Sequence, residues 1–217
     1  MDINLKNERI ILWGKKVIIC TLSLILLGIG CGINIAARQG ADPITVFYEG
    51  FGKFLGMNVG LAVGILNFSL VAFVFYVNRK YINIGTIIYL FVLGNFINFG
   101  IWIYNLLHLP NIFICQIILS LIGCLFCFVG LGGFMAIDIG IDPWTAAAVI
   151  VSKKTKKSFR LIKTIFDGVT LLLGWAMGGK VGIITIFCVF AGGPIIQKSN
   201  EILDKLIPKM LKFNHKD

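Results

Sequence analysis

Two short stretches one hundred positions apart hold most of the chemically capable residues of an otherwise apolar chain. Gly40-Ala41-Asp42-Pro43-Ile44-Thr45 is answered by Gly140-Ile141-Asp142-Pro143-Trp144-Thr145. In each, a carboxylate precedes a proline at the start of a helix-forming run. That is the pattern of an N-cap followed by the first helical position, where a missing N–H is no loss. A capping carboxylate also offsets the positive end of the helix dipole, so Asp42 and Asp142 argue against an anion held there in the usual way. Reached by water, the same carboxylates are candidates to bind a cation or carry a proton. Glu49, seven residues after Asp42, shares its helical face, whereas Val149 stands at the equivalent place in the second copy.

A second group is intramembrane in character. Asp167 falls near the middle of the apolar run Phe159 to Met177, where an ionised carboxylate is costly unless partnered, hydrated or protonated. Lys163, four residues earlier on the same face, offers an ion pair. Arg160 and Lys163 also lie close enough to the end of the run to snorkel to the interface, which leaves both readings open. Asn67 is the counterpart of Asp167 at the same offset of 100. Asn95, Asn98 and Asn34 add polar positions in other apolar runs, each explicable by interhelical hydrogen bonds of roughly 1 kcal/mol or less. The candidate substrate-binding set is Asn67, Asp167, Asn95 and Asn98, with Thr45 and Thr145 from the doubled motif.

Other chemistries are poorly supplied. No histidine lies within an apolar run, since His108 falls in a link and His215 in the tail, so neither a metal cluster nor a cofactor is expected. Cys20, Cys31, Cys115, Cys124, Cys127 and Cys188 all sit inside apolar runs, with no extramembrane pair to build a disulfide framework. Cys124-x-x-Cys127 lies within one helix, and the cysteines read as small packing residues. No serine has a matched base, so no enzymatic activity is expected.

The elements that must position these residues follow from composition. With 58% hydrophobic and 14% charged residues, and a mean hydropathy of +0.91, the chain is too apolar for one soluble core. Val17 to Ala37, Met57 to Val77, Ile84 to Tyr104, Ile114 to Met135, Phe159 to Met177 and Val181 to Ile196 are each long enough to cross a bilayer as a helix. Their continuous Leu, Ile and Phe content excludes the alternation of a β-barrel. Met1 to Lys16 is polar and leads into a run too long for a signal-peptide core, so the first span is expected to be retained. Pro43 to Phe54 and Pro143 to Ser152 are too short to cross and are predicted as re-entrant or interfacial helices. The fold class is therefore an all-α polytopic membrane protein of six transmembrane helices plus these two short ones.

The net charge of +10 would suggest nucleic acid in a soluble protein. Here the basic residues cluster at Asn78-Arg79-Lys80, at Lys153 to Lys157 and at Lys198, Lys205, Lys209 and Lys212, which positive-inside topology explains without nucleic acid. Both termini are then cytoplasmic.

The doubled motif belongs to an internal repeat. At offset 100, Gly30, Gly32, Gly40, Asp42, Pro43, Thr45 and Ile65 recur; at offset 99, Thr86, Phe91 and Gly94 recur and Asn98 is replaced by Gln197. The expected division is an N-terminal segment 1–16, a first repeat 17–106, a second repeat 114–197 and a basic tail 198–217. Each repeat has three spans, an odd number, so the second must enter the membrane upside down, related to the first by a pseudo-two-fold axis in the membrane plane. Gly28-x-x-x-Gly32, Gly60-x-x-x-Gly64 and Gly192-Gly193-Pro194 are packing positions, the last with a proline able to kink span six.

"GADPITVF", the later "INIGTIIYLFVLGNFIN" and the second-round "GIDPWTAAAV" together resemble the YczE/YitT-type group of bacterial integral membrane proteins, over about Val17 to Gln197. That group commonly has Pro-Trp-Asp in its first repeat; this chain has Pro43-Ile44-Thr45, and its tryptophan appears only as Trp144. The resemblance implies the architecture and a bacterial plasma-membrane location, and no particular reaction.

Two functions fit. The first is a secondary transporter or permease for a small solute, with a midplane site between inverted repeats and a possible coupling ion. The second is a non-transporting membrane protein that organises or regulates a protein partner. Its basic loop and tail would contact that partner or anionic lipid. No ATP-binding loop is present, so transport would be gradient-driven or depend on an external ATPase. The orientation is checked with reporter fusions: a fluorescent protein at the C terminus is expected to fluoresce, alkaline phosphatase fused after Lys154 to be inactive, and phosphatase fused after Asn105 to be active. The opposite pattern would invert the topology.

Overall fold

The computed structural model describes residues 2–108 and 112–211, and among these every regular element is helical. Eight α-helices follow in order: α1 Asp2–Ala37, α2 Pro43–Phe54, α3 Val59–Val77, α4 Ile84–Leu106, α5 Phe113–Ala136, α6 Pro143–Thr155, α7 Phe159–Ala176 and α8 Ile183–Leu211, with a 3₁₀ turn at Arg79–Tyr81. Most begin on a side chain of the expected kind. Asp42 accepts from the Thr45 N–H at 3.2 Å and Asp142 from the Thr145 N–H at 2.9 Å. Asn58 and Ser158 do the same for α3 and α7, each satisfying one of the donors that a helix start leaves open.

Five of the helices are long and apolar enough to cross a membrane: the Ile10–Ala37 part of α1, then α3, α4, α5 and the Ile183–Ile207 part of α8. The fifth expected span, α7, is an 18-residue helix carrying Arg160, Lys163 and Asp167, and that charge keeps it below the same standard. Large apolar side chains cover the outside, Phe68, Phe91 and Phe190 being 67%, 72% and 77% exposed, as the lipid face of a membrane protein requires.

Three expected boundaries shift. The polar segment before span one is helical from Asp2 onward, and α8 continues past Ile196 through Pro194 and the basic segment to Leu211. Gly14 in the first region and Gly192-Gly193-Pro194 in the second do not interrupt the helix, and Gln197 donates to Glu201 at 3.0 Å one turn on, which carries α8 through. The short second helix extends to Thr155, ending where Lys156 takes a left-handed conformation at φ 55°. Lys212 and His215 of the predicted tail lie outside the described residues.

Helix α1 is the axis of the molecule. It packs along α4 on one side and α5 on the other, and α5 in turn packs on α8. The short helices cross over: α2 lies against α7 as well as α3, and α6 against α3 as well as α7. Close approach of α1 and α5 depends on glycine. A Cβ at Gly30 would lie 2.5 Å from the Gly123 carbonyl oxygen and 2.7 Å from the Cys127 nitrogen; at Gly130 it would lie 2.6 Å from both the Ser23 oxygen and the Leu27 nitrogen. Such contacts replace a hydrophobic driving force that lipid does not supply. Gly30→Ala is therefore expected to lower the thermal midpoint in detergent by about 3–10 °C, from about 1–3 kcal/mol of overpacking. Gly64→Ala, with nothing within 4 Å, is expected to change it by about 1 °C or less in the same melting experiment.

Candidate functional site

The helix-breaking sequence after Ala37 turns the chain back toward the middle of the bundle. Arg38 adopts φ 59° and Gly40 φ 95°, and the Thr45 hydroxyl then reaches the Cys31 sulfur at 3.4 Å. Cys31 lies six residues, or about 9 Å, back from the end of α1. The first turn of α2 thus starts at the depth of Cys31 rather than at the end of α1. Asp142 and Trp144 open α6 in the same way after Asp138, at φ 52°.

Two buried polar groupings lie where these short helices begin. In the first, the Trp144 indole N–H donates to the Tyr48 hydroxyl at 2.8 Å, and that hydroxyl donates to Asn67 Oδ1 at 2.9 Å. The relay joins α6, α2 and α3. Asn67 is fully buried and its Nδ2 has no partner. Leaving such a donor unpaired costs about 1–3 kcal/mol. Phe47 closes the side of the relay, its ring 5.7 Å from that of Trp144 and nearly perpendicular to it.

The second grouping is rich in sulfur. Cys31 Sγ and Cys127 Sγ are 3.4 Å apart, as are Cys124 Sγ and Cys188 Sγ. Asn34 directs its Nδ2 at Cys124 and Cys127, at 3.5 and 3.9 Å, while its buried Oδ1 has no partner. Asp42 belongs here as well: one of its carboxylate oxygens and the two sulfurs of Cys31 and Cys127 all lie within 4.8 Å of one another.

The predicted site residues divide. Asn67 and Thr45 enter these two groupings, and Asp42 and Asp142 cap their helices. Asp167 pairs with Lys163 on its own helix, both side chains about one-third exposed, so the ion-pair alternative describes it. Asn95 is exposed and bonds to the Phe91 carbonyl of its own helix at 2.7 Å, beside an apolar groove between α3 and α4. Asn98 accepts the Gly60 N–H at 2.9 Å and donates to Asn58 at 3.1 Å, which fixes the start of α3 against α4. Thr145 is held by its backbone N–H to Asp142. Glu49 turns away from Asp42: it is buried, pairs with Lys53 and accepts the Lys180 N–H at 2.9 Å, tying α2 to the α7–α8 link.

Sequence reasoning passed over Tyr48, Trp144 and the sulfur grouping. Trp144 was visible only as a departure from the motif, and Tyr48 carries no spacing signal. For the cysteines a signal exists: Cys31-x-x-Asn34 and Cys124-x-x-Cys127 each place two polarisable groups three residues apart, on one helical face. The expectation that no metal-ligating cluster forms rested on histidine spacing, and cysteines brought together from different helices escape it.

A family model described as a family of unknown function (DUF6198) matches residues 14–201. Among curated proteins, the chain is similar to the uncharacterized membrane protein YczE of Bacillus subtilis (strain 168), 24% identical over 177 residues that cover 81% of each chain. It is also similar to an uncharacterized protein of Haemophilus influenzae (strain ATCC 51907 / DSM 11121 / KW20 / Rd), 23% identical over 192 residues, 88% of this chain and 86% of the other. No solved structure matches the chain. The resemblance to YczE-type proteins read from the doubled motif therefore stands. The apolar helices and the family match over residues 14–201 together make the chain a membrane protein of the DUF6198 family.

Proposed function

We propose that the protein is a non-enzymatic secondary transporter or permease for a small solute, built as two inverted repeats of three spans and one re-entrant helix each, with α7 as the sixth span. The buried Trp144–Tyr48–Asn67 relay carries this reading. It sits between the two half-helices and contains a donor that no described residue satisfies. A solute acceptor or a water would satisfy it. Half-helices that start at membrane depth and face a midplane site are the recurring device of inverted-repeat transporters.

The repeat itself is supported by contacts that recur under the sequence offset. Gly30 on Gly123 and Cys127 becomes Gly130 on Ser23 and Leu27 when the two halves are exchanged. Gly32 meets Ile97 and Gly100, and Gly132 meets Ile196 and Ser199. The Gly85 N–H donates to the Ile139 carbonyl at 3.0 Å, and the Ile184 N–H to the Gln39 carbonyl at 3.1 Å. The crossing of α2 onto α7 and of α6 onto α3 obeys the same exchange. With the termini cytoplasmic, the short helices then enter from opposite faces. In this reading the Lys163–Asp167 pair serves to carry α7 through the membrane, and the solute is read by Asn67 and Tyr48.

The second reading, a regulator of a protein partner, draws on the exposed basic turn Lys153 to Lys157, from which Lys153 reaches the Tyr81 hydroxyl at 2.7 Å. The two separate in one experiment. Purified protein is screened for thermal stabilisation by amines, amino acids, vitamins and simple ions, and hits are tested for uptake into proteoliposomes. Transport predicts a compound that raises the midpoint by several degrees in the parent. In Asn67→Leu, which removes the unpaired donor together with the acceptor of the Tyr48 hydroxyl, and with circular dichroism and elution confirming that the variant is folded, the shift is expected to vanish and uptake to fall at least about tenfold, the loss of roughly 1.4 kcal/mol of binding. A folded parent that nothing in the panel stabilises, and that co-purifies from native membranes with one stoichiometric protein, would replace transport by the partner reading.

A further inference from the structure

We propose that Cys31, Cys127 and Asp42 form a site for a single thiophilic d10 divalent cation of the zinc class. The assignment rests on these three side chains and their surroundings, and it holds whether or not the protein transports a solute.

The ligand atoms come from three separate places, α1, α5 and the N-cap of α2, and converge within 4.8 Å of one another. A tetrahedral centre with metal–sulfur bonds near 2.3 Å places its sulfurs about 3.8 Å apart, whereas a linear two-coordinate ion needs about 4.6 Å. The observed sulfur separation of 3.4 Å is closer to the tetrahedral value. Asp42 uses Oδ2 to cap Thr45, which leaves Oδ1 for a cation. Being only partly buried, the carboxylate also offers a way in from water, and a fourth position there suits a water molecule.

Each sulfur has a hydrogen-bonding neighbour, and the Cys127 thiol also faces the Leu27 carbonyl at 3.7 Å. Metal binding requires deprotonated sulfur, and donors are already aimed at both: the Thr45 hydroxyl at Cys31 and the Asn34 amide at Cys127. Such neighbours orient ligands and raise affinity in metal sites. Two thiolates and a carboxylate around a divalent ion leave one negative charge, beside the positive end of α2, which stabilises it.

The repeat supplies an internal comparison. Exchanging the halves turns Cys31 into Leu131 and Cys127 into Leu27, while Asp42 becomes Asp142. The cap is therefore present at both equivalent places, while each cysteine has a leucine at its equivalent position, so capping alone does not explain why two cysteines surround Asp42.

The test uses untagged full-length protein in detergent with a phosphine reductant, stripped with a chelator and then titrated with Zn²⁺ against a chromophoric competitor. One Zn²⁺ per chain is expected. Cd²⁺ in its place should give the ultraviolet thiolate-to-metal charge-transfer band. Cys31→Ser and Cys127→Ser are expected to weaken binding roughly 100-fold or more, and Asp42→Asn about tenfold. Cys20→Ser and Cys115→Ser should leave it unchanged, with helicity and elution confirming that every variant is folded. Stoichiometric binding that survives in the folded Cys31→Ser/Cys127→Ser double variant, or a parent that gives no charge-transfer band with Cd²⁺, would overturn the assignment.

Discussion

In the proposed reading α2 and α6 start inside the bilayer, where lipid offers their backbone N–H groups no partner, and the architecture turns on how those groups are met. At both α2 and α6 the answer is an aspartate at the N-cap and a proline immediately after it. The carboxylate takes the Thr45 or Thr145 N–H, and the proline removes one donor outright. With two of those donors accounted for at each start, each short helix can be drawn back along the long helix that precedes it. That retreat brings Thr45 to Cys31, and Trp144 to Tyr48. Without the caps, the same segments would be confined to the interface, and neither buried grouping could assemble.

The long helices supply the complementary constraint. Because lipid tails are as apolar as leucine, α1 and α5 are held by close backbone approach at Gly30, Gly123 and Gly130. An interface this tight has no room for large polar side chains but accepts sulfur, which is compact and polarisable. The sulfur grouping and the glycine contacts are therefore one feature seen twice: Cys127 provides both the backbone that Gly30 approaches and the thiol that faces Cys31.

Much of this was legible in the sequence, for physical reasons that can be named. Span boundaries for α3, α4, α5 and α7 fall within two residues of expectation, because a bilayer imposes one length and one composition on all of them. The caps were legible because Asp-Pro before an apolar run has few other uses. The ends of α1 and α8 were not, since beyond the membrane nothing in the charged segments stops a helix that has already nucleated. Site residues were the least legible. A charged residue in an apolar run attracts attention, yet Asp167 resolves its charge locally with Lys163. Asn34, Asn67 and Asn98 do bridge helices, but in the two buried groupings their partners are Tyr48 and cysteines, residue types that are ordinary in membrane spans.

Under the proposed repeat, the two halves diverge at the residues that line the buried groupings. Asn67 and Asp167 occupy equivalent places, but Tyr48 corresponds to Ala148 and Trp144 to Ile44, so only the first-repeat position has a hydroxyl to engage it. Asn67 is accordingly buried and bonded across helices, while Asp167 stays near the surface of the bundle with its own lysine. The sulfur positions diverge in the same direction. Cys124, Cys127 and Cys188 correspond to Leu24, Leu27 and Tyr89, and Asn34 to Phe134, whose ring packs 5.8 Å from that of Tyr89. An ancestral scaffold that needs only caps and small-residue contacts would keep both halves alike. Both halves contribute to the two buried groupings, the first with Cys31, Asn34, Tyr48 and Asn67, the second with Cys124, Cys127, Trp144 and Cys188.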